Sequence, residues 1–144
     1  MATLELSEAR DREPAKARPS ILIAEDEPDV LAVLERFFDL EGFSTDVATT
    51  GEEAVSKVHR QEYDLVLTDY SMPGASGIEV ARAIRRAGRR SPVLIITGWD
   101  HRLDPSELKR NGVVGVITKP FDLEEVLSLA AQLTAPQVAV AAAG

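Results

Sequence analysis

The chain has 144 residues, 44% of them hydrophobic, with a formal net charge of −8 and no cysteine. That is enough apolar material for one packed domain, and the missing thiols exclude disulfides, thiol nucleophiles and thiolate metal sites. No apolar run approaches the roughly 20 residues of a membrane helix, and the acidic balance argues against a phosphate-binding nucleic-acid surface.

Residues 1–19 alternate charges, with Glu5, Glu8, Asp11 and Glu13 balancing Arg10, Arg12, Lys16 and Arg18, and read as a flexible arm. Ser20 to Ala24 is an apolar strand running into Glu25-Asp26. Pro28 suits the first turn of a helix, since it has no N–H to leave unpaired. Val30, Leu31, Val33, Leu34, Phe37, Phe38 and Leu40 then cover about half its circumference, wider than one buried stripe requires. This arc predicts either a helix buried between neighbours or a docking face for a partner protein.

Phe43 to Thr49 alternates as a half-buried strand beside a sheet edge. Thr50-Gly51-Glu52-Glu53 opens the next helix, Leu65 to Asp69 is a buried strand, and Ser76-Gly77-Ile78-Glu79 opens another helix. Val93 to Ile96 leads into Thr97, Asp104-Pro105-Ser106-Glu107 starts a short helix, and Val113 to Ile117 leads into Thr118-Lys119-Pro120. Asp122-Leu123-Glu124-Glu125 begins the last helix. At all four of these starts a capping side chain stands three residues before a glutamate. Arg82, Arg85, Arg86, Arg89 and Arg90 are expected to form a solvated, cationic helix end. From 135 to 144 the Ala- and Val-rich sequence reads as a flexible tail, leaving no room for a second domain.

Strands alternating with helices predict an α/β fold with a parallel sheet and helices on both faces. Ligands of such sheets bind beyond the carboxyl ends of the strands. There the sequence places Glu25, Asp26, Asp69, Thr97 and Lys119. The three acids offer only hard oxygens, which suits Mg²⁺. Asp69 can act as an ionised nucleophile, while Lys119 and the Thr97 hydroxyl can contact phosphoryl oxygens. Each residue alone has a plainer explanation: Asp26 as a helix cap, Thr97 as a turn residue, Lys119 as a surface charge. Four strand ends with complementary groups favour a phosphoryl site.

The motifs Ile21-Leu22-Ile23-Ala24-Glu25-Asp26-Glu27-Pro28, Leu67-Thr68-Asp69-Tyr70-Ser71-Met72-Pro73-Gly74, Ile95-Ile96-Thr97-Gly98 and Ile117-Thr118-Lys119-Pro120-Phe121 resemble the receiver domain of two-component response regulators over nearly all of 20–134. The resemblance implies a flavodoxin-like (βα)5 fold and phosphotransfer to Asp69 from a sensor histidine kinase or a histidine phosphotransfer protein. It implies Mg²⁺ held by Asp26, Asp69 and the Ser71 backbone carbonyl, with Glu25 acting through water. Thr97 and Lys119 take the switch and phosphate-pairing roles, and the whole is expected to be a cytoplasmic, stand-alone receiver, not an enzyme, that signals to a downstream protein without touching nucleic acid or membrane.

Two departures stand out. Glu25 replaces a frequent aspartate, and Val116 falls where the family's switch aromatic usually lies. Trp99, two residues past Thr97, is a candidate substitute for that aromatic. The alternative is therefore a receiver-like binding module that works without phosphorylation. A phosphatase using Asp69 as nucleophile is disfavoured, since Ser71 stands where such enzymes carry a second acid.

Overall fold

The computed structural model describes residues 18–98 and 102–135, so Trp99, most of the expected arm and nearly all of the tail lie outside the described residues. Among these residues five strands and five helices alternate: β1 (Ser20–Ala24), α1 (Pro28–Leu40), β2 (Ser44–Ala48), α2 (Gly51–Arg60), β3 (Leu65–Asp69), α3 (Gly77–Arg86), β4 (Val93–Thr97), α4 (Pro105–Arg110), β5 (Val113–Thr118) and α5 (Leu123–Thr134). The strands form one parallel sheet in the order β2-β1-β3-β4-β5, the flavodoxin-like arrangement.

Alternation of side chains along each strand splits the core into two layers. Leu22, Val66 and Ile95 pack with Ala54 and Val58 of α2 and Ile78, Ala81 and Ile84 of α3. Ile21, Ile23, Leu65, Leu67, Leu94 and Ile96 pack on the other face with Leu31, Leu34 and Phe38 of α1 and Val126 and Ala130 of α5. Burial on both faces explains why β1, β3 and β4 read as unbroken apolar runs. β2 and β5 are the edges, and among the described strands only they carry exposed residues.

The wide apolar arc of α1 divides. Leu31, Leu34 and Phe38 face the core, while Val33 and Leu40 are 53% and 72% exposed. Helix starts follow the capping pattern with one refinement. Ser76 and Glu79 form a reciprocal capping box, and Thr50 accepts from the Glu53 N–H. Asp104 and Asp122 instead accept from the residue two positions on, Ser106 and Glu124, in the Asx-turn pattern that aspartate favours. Asp26 is not a cap: α1 starts after Glu27 with no side-chain cap bond.

The expected solvated arginine end is only partly so. Arg85 and Arg86 are exposed in the last turn of α3. Arg82 pairs with Glu107 of α4 at 3.0 Å, and Arg89 donates to the Val58 and His59 carbonyls at 2.8 and 3.0 Å. Its guanidinium thus satisfies carbonyls in the last turn of α2 that have no helical partner.

Edge strand β2 is tied down by a polar triad. Asp46 accepts from the buried Tyr63 hydroxyl at 2.6 Å and from the Lys57 ammonium at 2.8 Å, and Lys57 also donates to the Val47 carbonyl at 2.6 Å. Burial pushes the Asp46 carboxyl up, but the bonds from Lys57 and Tyr63 outweigh it and hold the group below its ordinary value. Tyr63→Phe keeps the ring and deletes one bond to a charged acceptor. It should lower stability by about 1–2 kcal/mol, read as a shifted urea midpoint at unchanged slope.

Candidate phosphoryl and metal site

The site sits where β1, β3 and β5 end. Register aligns Ala24 with Thr68 and Thr97 with Thr118, so the residues following each strand emerge on one rim. Glu25 extends the ladder by one step, its N–H donating to the Ala48 carbonyl at 3.0 Å, and this buries its side chain completely. Asp69 ends β3 and is 7% exposed. Asp26, next along from Glu25, is exposed. One oxygen from each of Glu25, Asp26 and Asp69 lies within 4.8 Å of the others.

Lys119 comes from the far side of the sheet. Its N–H donates to the Thr97 carbonyl at 2.8 Å, and a cis peptide bond joins it to Pro120. The ammonium stands 3.3 Å from Asp69 Oδ2, 3.4 Å from Glu25 Oε1 and 3.6 Å from Glu27 Oε1. Burial alone would lower the Lys119 pKa, yet the charges of Asp69 and Glu25 outweigh it and the pKa rises.

Glu25 shows the opposite balance. Burial, reinforced by the charge of Asp69, pushes its carboxyl up to about 7, against the Glu27 N–H and the Lys119 charge. Its Oε2 accepts from the Glu27 N–H at 3.0 Å, but Oε1 is buried with no hydrogen-bond partner among the described residues. The Lys119 ammonium, 3.4 Å away, is the ion-pair neighbour of that oxygen. A buried carboxylate oxygen left in this state, beside two further acids and no nitrogen or sulfur donor, fits a hard cation or its water shell.

Sequence reasoning placed Glu25, Asp26, Asp69 and Lys119 together, and the structure brings them together. Ser71 lies exposed in the turn after β3. Thr97 is buried at the rim, but its hydroxyl donates to the Gly98 carbonyl at 3.2 Å and not to Asp69. Val116 is 40% exposed on β5. Glu27 was not singled out as a partner of Lys119. Its only signal was the acidic run Glu25-Asp26-Glu27, which does not say which acid turns toward the ammonium.

Residues 21–131 match the response regulator receiver domain family. The chain belongs to that family. It is a receiver domain of the kind found in two-component response regulators. The receiver is 36% identical over 108 residues to the uncharacterized transcriptional regulatory protein YkoG of Bacillus subtilis, covering 75% of this chain and 47% of that protein. It is also 36% identical over 108 residues to the transcriptional regulatory protein TcrA of Mycobacterium tuberculosis, covering 75% and 43%. The chain thus spans less than half the length of these curated relatives.

Among solved structures, a Francisella response regulator receiver domain superposes with a TM-score of 0.74 at 27% identity, covering 81% of this chain and 97% of that one. The receiver domain of the sensor histidine kinase PA1611 of Pseudomonas aeruginosa superposes with a TM-score of 0.72 at 27% identity, covering 83% and 99%. That structure carries a magnesium ion coordinated in its active-site cleft. No helix among the described residues is long and apolar enough to cross a membrane.

Proposed function

We propose that Asp69 is the phosphoacceptor of this receiver and that it takes its phosphoryl group from a phosphohistidine of a sensor histidine kinase or a histidine phosphotransfer protein. The observation that carries this reading is the Lys119 ammonium 3.3 Å from a buried Asp69 carboxylate, with oxygens of Glu25 and Asp26 within 4.8 Å. Asp26, Asp69 and the Ser71 carbonyl would hold Mg²⁺, with Glu25 acting through water. When bound, the ion supplies positive charge to the phosphoryl oxygens.

The chain's own groups do the rest. An Asp69 oxygen forms the new O–P bond as the donor's N–P bond breaks, and the departing imidazole keeps the electron pair and takes up a proton. Lys119 is held by its backbone bond to Thr97 and its ammonium by Asp69 and Glu25, so the charge stands beside the acceptor before the donor arrives. Thr97, whose hydroxyl donates to the Gly98 carbonyl here, would release that carbonyl by rotation about its Cα–Cβ bond and donate to a phosphoryl oxygen. That rotation makes it the switch residue of this reading.

The receiver proper is assigned to 20–134, flanked by an arm at 1–19 and a tail at 135–144. The domain works in the cytoplasm and passes its signal by contact with a downstream protein, the net charge of −8 disfavouring direct contact with nucleic acid. Val116, with no ring to bury or expose, favours a second reading in which partners bind independently of phosphate. A partner that binds the Asp69→Asn variant as tightly as the phosphorylated wild type would support that second reading.

Incubation with acetyl phosphate and Mg²⁺ should produce a hydroxylamine-labile phosphoryl adduct that peptide mapping places on Asp69, and excess EDTA should abolish it. Absence of any such adduct on wild-type protein, with acetyl phosphate or with a panel of phosphorylated histidine kinases, overturns the proposal.

A further inference from the structure

The loop between Asp69 and α3 rests on a helix start that plays no part in the chemistry above. Gly51, the first residue of α2, donates its N–H to the Pro73 carbonyl at 2.9 Å. A Cβ at Gly51 would lie 2.0 Å from the Ala75 carbonyl oxygen and 2.6 Å from the Ala75 carbonyl carbon. Beside it, the Glu52 side chain lies against Gly74, where a Cβ would come within 2.4 Å of Glu52 Cγ. The first two residues of α2 therefore meet the loop with no space for an added atom.

Both ends of the loop are fixed. The Tyr70 N–H donates to the Ile96 carbonyl at 2.7 Å, and the Gly77 N–H donates to the Tyr70 carbonyl at 2.8 Å. Ser71 lies between the first of these anchors and the Pro73 bond, so the seat on α2 fixes where its carbonyl stands.

We propose that Gly51 is a positioning residue for the metal-binding loop: its bare Cα and its N–H hold residues 71–75 so that the Ser71 carbonyl faces the carboxylates. The inference rests on the reading that this carbonyl joins Asp26 and Asp69 at Mg²⁺. A methyl group at Gly51 must drive the Ala75 carbonyl away to restore ordinary contact. With the loop ends pinned, residues 71–75 take up the displacement and the Pro73 oxygen leaves its donor. Outer supports of a metal site of this kind typically change affinity by about 10- to 100-fold when altered. Alanine is otherwise a better helix former than glycine, so at an unobstructed helix start the change would be harmless. Linkage requires the reciprocal effect: if loop docking positions a metal ligand, Mg²⁺ must strengthen the docking.

The test is calorimetric Mg²⁺ titration of wild type, Gly51→Ala and Ser56→Ala, the last an exposed control on the same helix. It is paired with circular dichroism of each variant and with amide exchange of wild type with and without Mg²⁺. Expected are an affinity loss of about 10-fold or more in Gly51→Ala, none in Ser56→Ala, and slower exchange of the wild-type Gly51 N–H when Mg²⁺ is present. Wild-type affinity in a folded Gly51→Ala overturns this inference and leaves the proposed function standing. Should Gly51→Ala not fold, an unchanged Gly51 exchange rate in wild type overturns it. A wild type that binds no Mg²⁺ removes the proposed function and this inference with it.

Discussion

Asp69→Asn should reduce acyl-phosphate formation by at least about 10³-fold, the order expected when a single nucleophile is deleted. The amide that replaces the carboxylate carries no charge and cannot form the mixed anhydride. Its fold should survive, because little is lost with that charge. Asp69 Oδ2 accepts a long 3.3 Å bond from Lys119, and the same charge raises the pKa of buried Glu25. Removing it relieves a repulsion, and Lys119 keeps Glu25 at 3.4 Å and Glu27 at 3.6 Å as partners. The variant should therefore melt at or above the wild-type temperature in metal-free buffer, a separation of function from stability expected where a site carries uncompensated like charge. Melting curves together with the hydroxylamine assay check both halves. A variant that loses the adduct only because it unfolds would show the opposite thermal shift.

The second large effect is a pH dependence located at Glu25. Its ordinary value of 4.5 is raised to about 7 in the folded domain, chiefly by burial. Between those values the folded state binds a proton that the unfolded chain does not. The stabilisation is thus fully present below about 4.5 and is lost as pH rises through about 7. Metal-free protein should be less stable at pH 8 than at pH 5.5, by at most about 2 kcal/mol, since roughly 1.5 pH units separate the lower pH from the raised pKa and each corresponds to about 1.4 kcal/mol. Asp46 acts in the other direction. Its pKa is held below 3.8, so its contribution is present above that value and fades as pH falls through the lowered one. A stability maximum in mildly acidic buffer follows.

Glu25→Gln isolates the cause. The amide keeps the size of the side chain and can still accept from the Glu27 N–H, but it does not titrate. Urea titrations in EDTA at the two pH values should show the wild-type slope and a nearly flat variant. Equal slopes in the two proteins would assign the dependence elsewhere. Mg²⁺ should stabilise wild type more at pH 8 than at pH 5.5, because a proton on Glu25 competes with the cation.

Much of this molecule is written in short-range pattern. Apolar runs such as Ile21-Leu22-Ile23 and Leu65-Val66-Leu67 mark strands covered on both faces, and Ser76 three residues before Glu79 marks a helix start that forms the expected reciprocal cap. These signals are legible because the periods of strand and helix are properties of the backbone. The candidate site was legible for a related reason. Acids or an amine at or directly after the ends of β1, β3 and β5 must emerge at one rim once those strands are parallel.

What the linear pattern does not carry is which groups touch. Lys119 and Asp69 are 50 positions apart, and their 3.3 Å separation depends on the pairing of β4 with both β3 and β5. The same holds for Glu27 beside Lys119, for Arg89 on the last carbonyls of α2, and for the Thr97 hydroxyl engaged with Gly98. The sequence alone determined the order of elements, the two-sided burial of the sheet and the inventory of chemical groups at its carboxyl edge, since each follows from neighbours a few residues apart. Tertiary structure alone decided that Glu25 is wholly buried with a raised pKa, and that a bare Gly51 supports the loop after Asp69. Desolvation and steric fit are set by atoms that meet only when distant strands and helices pack.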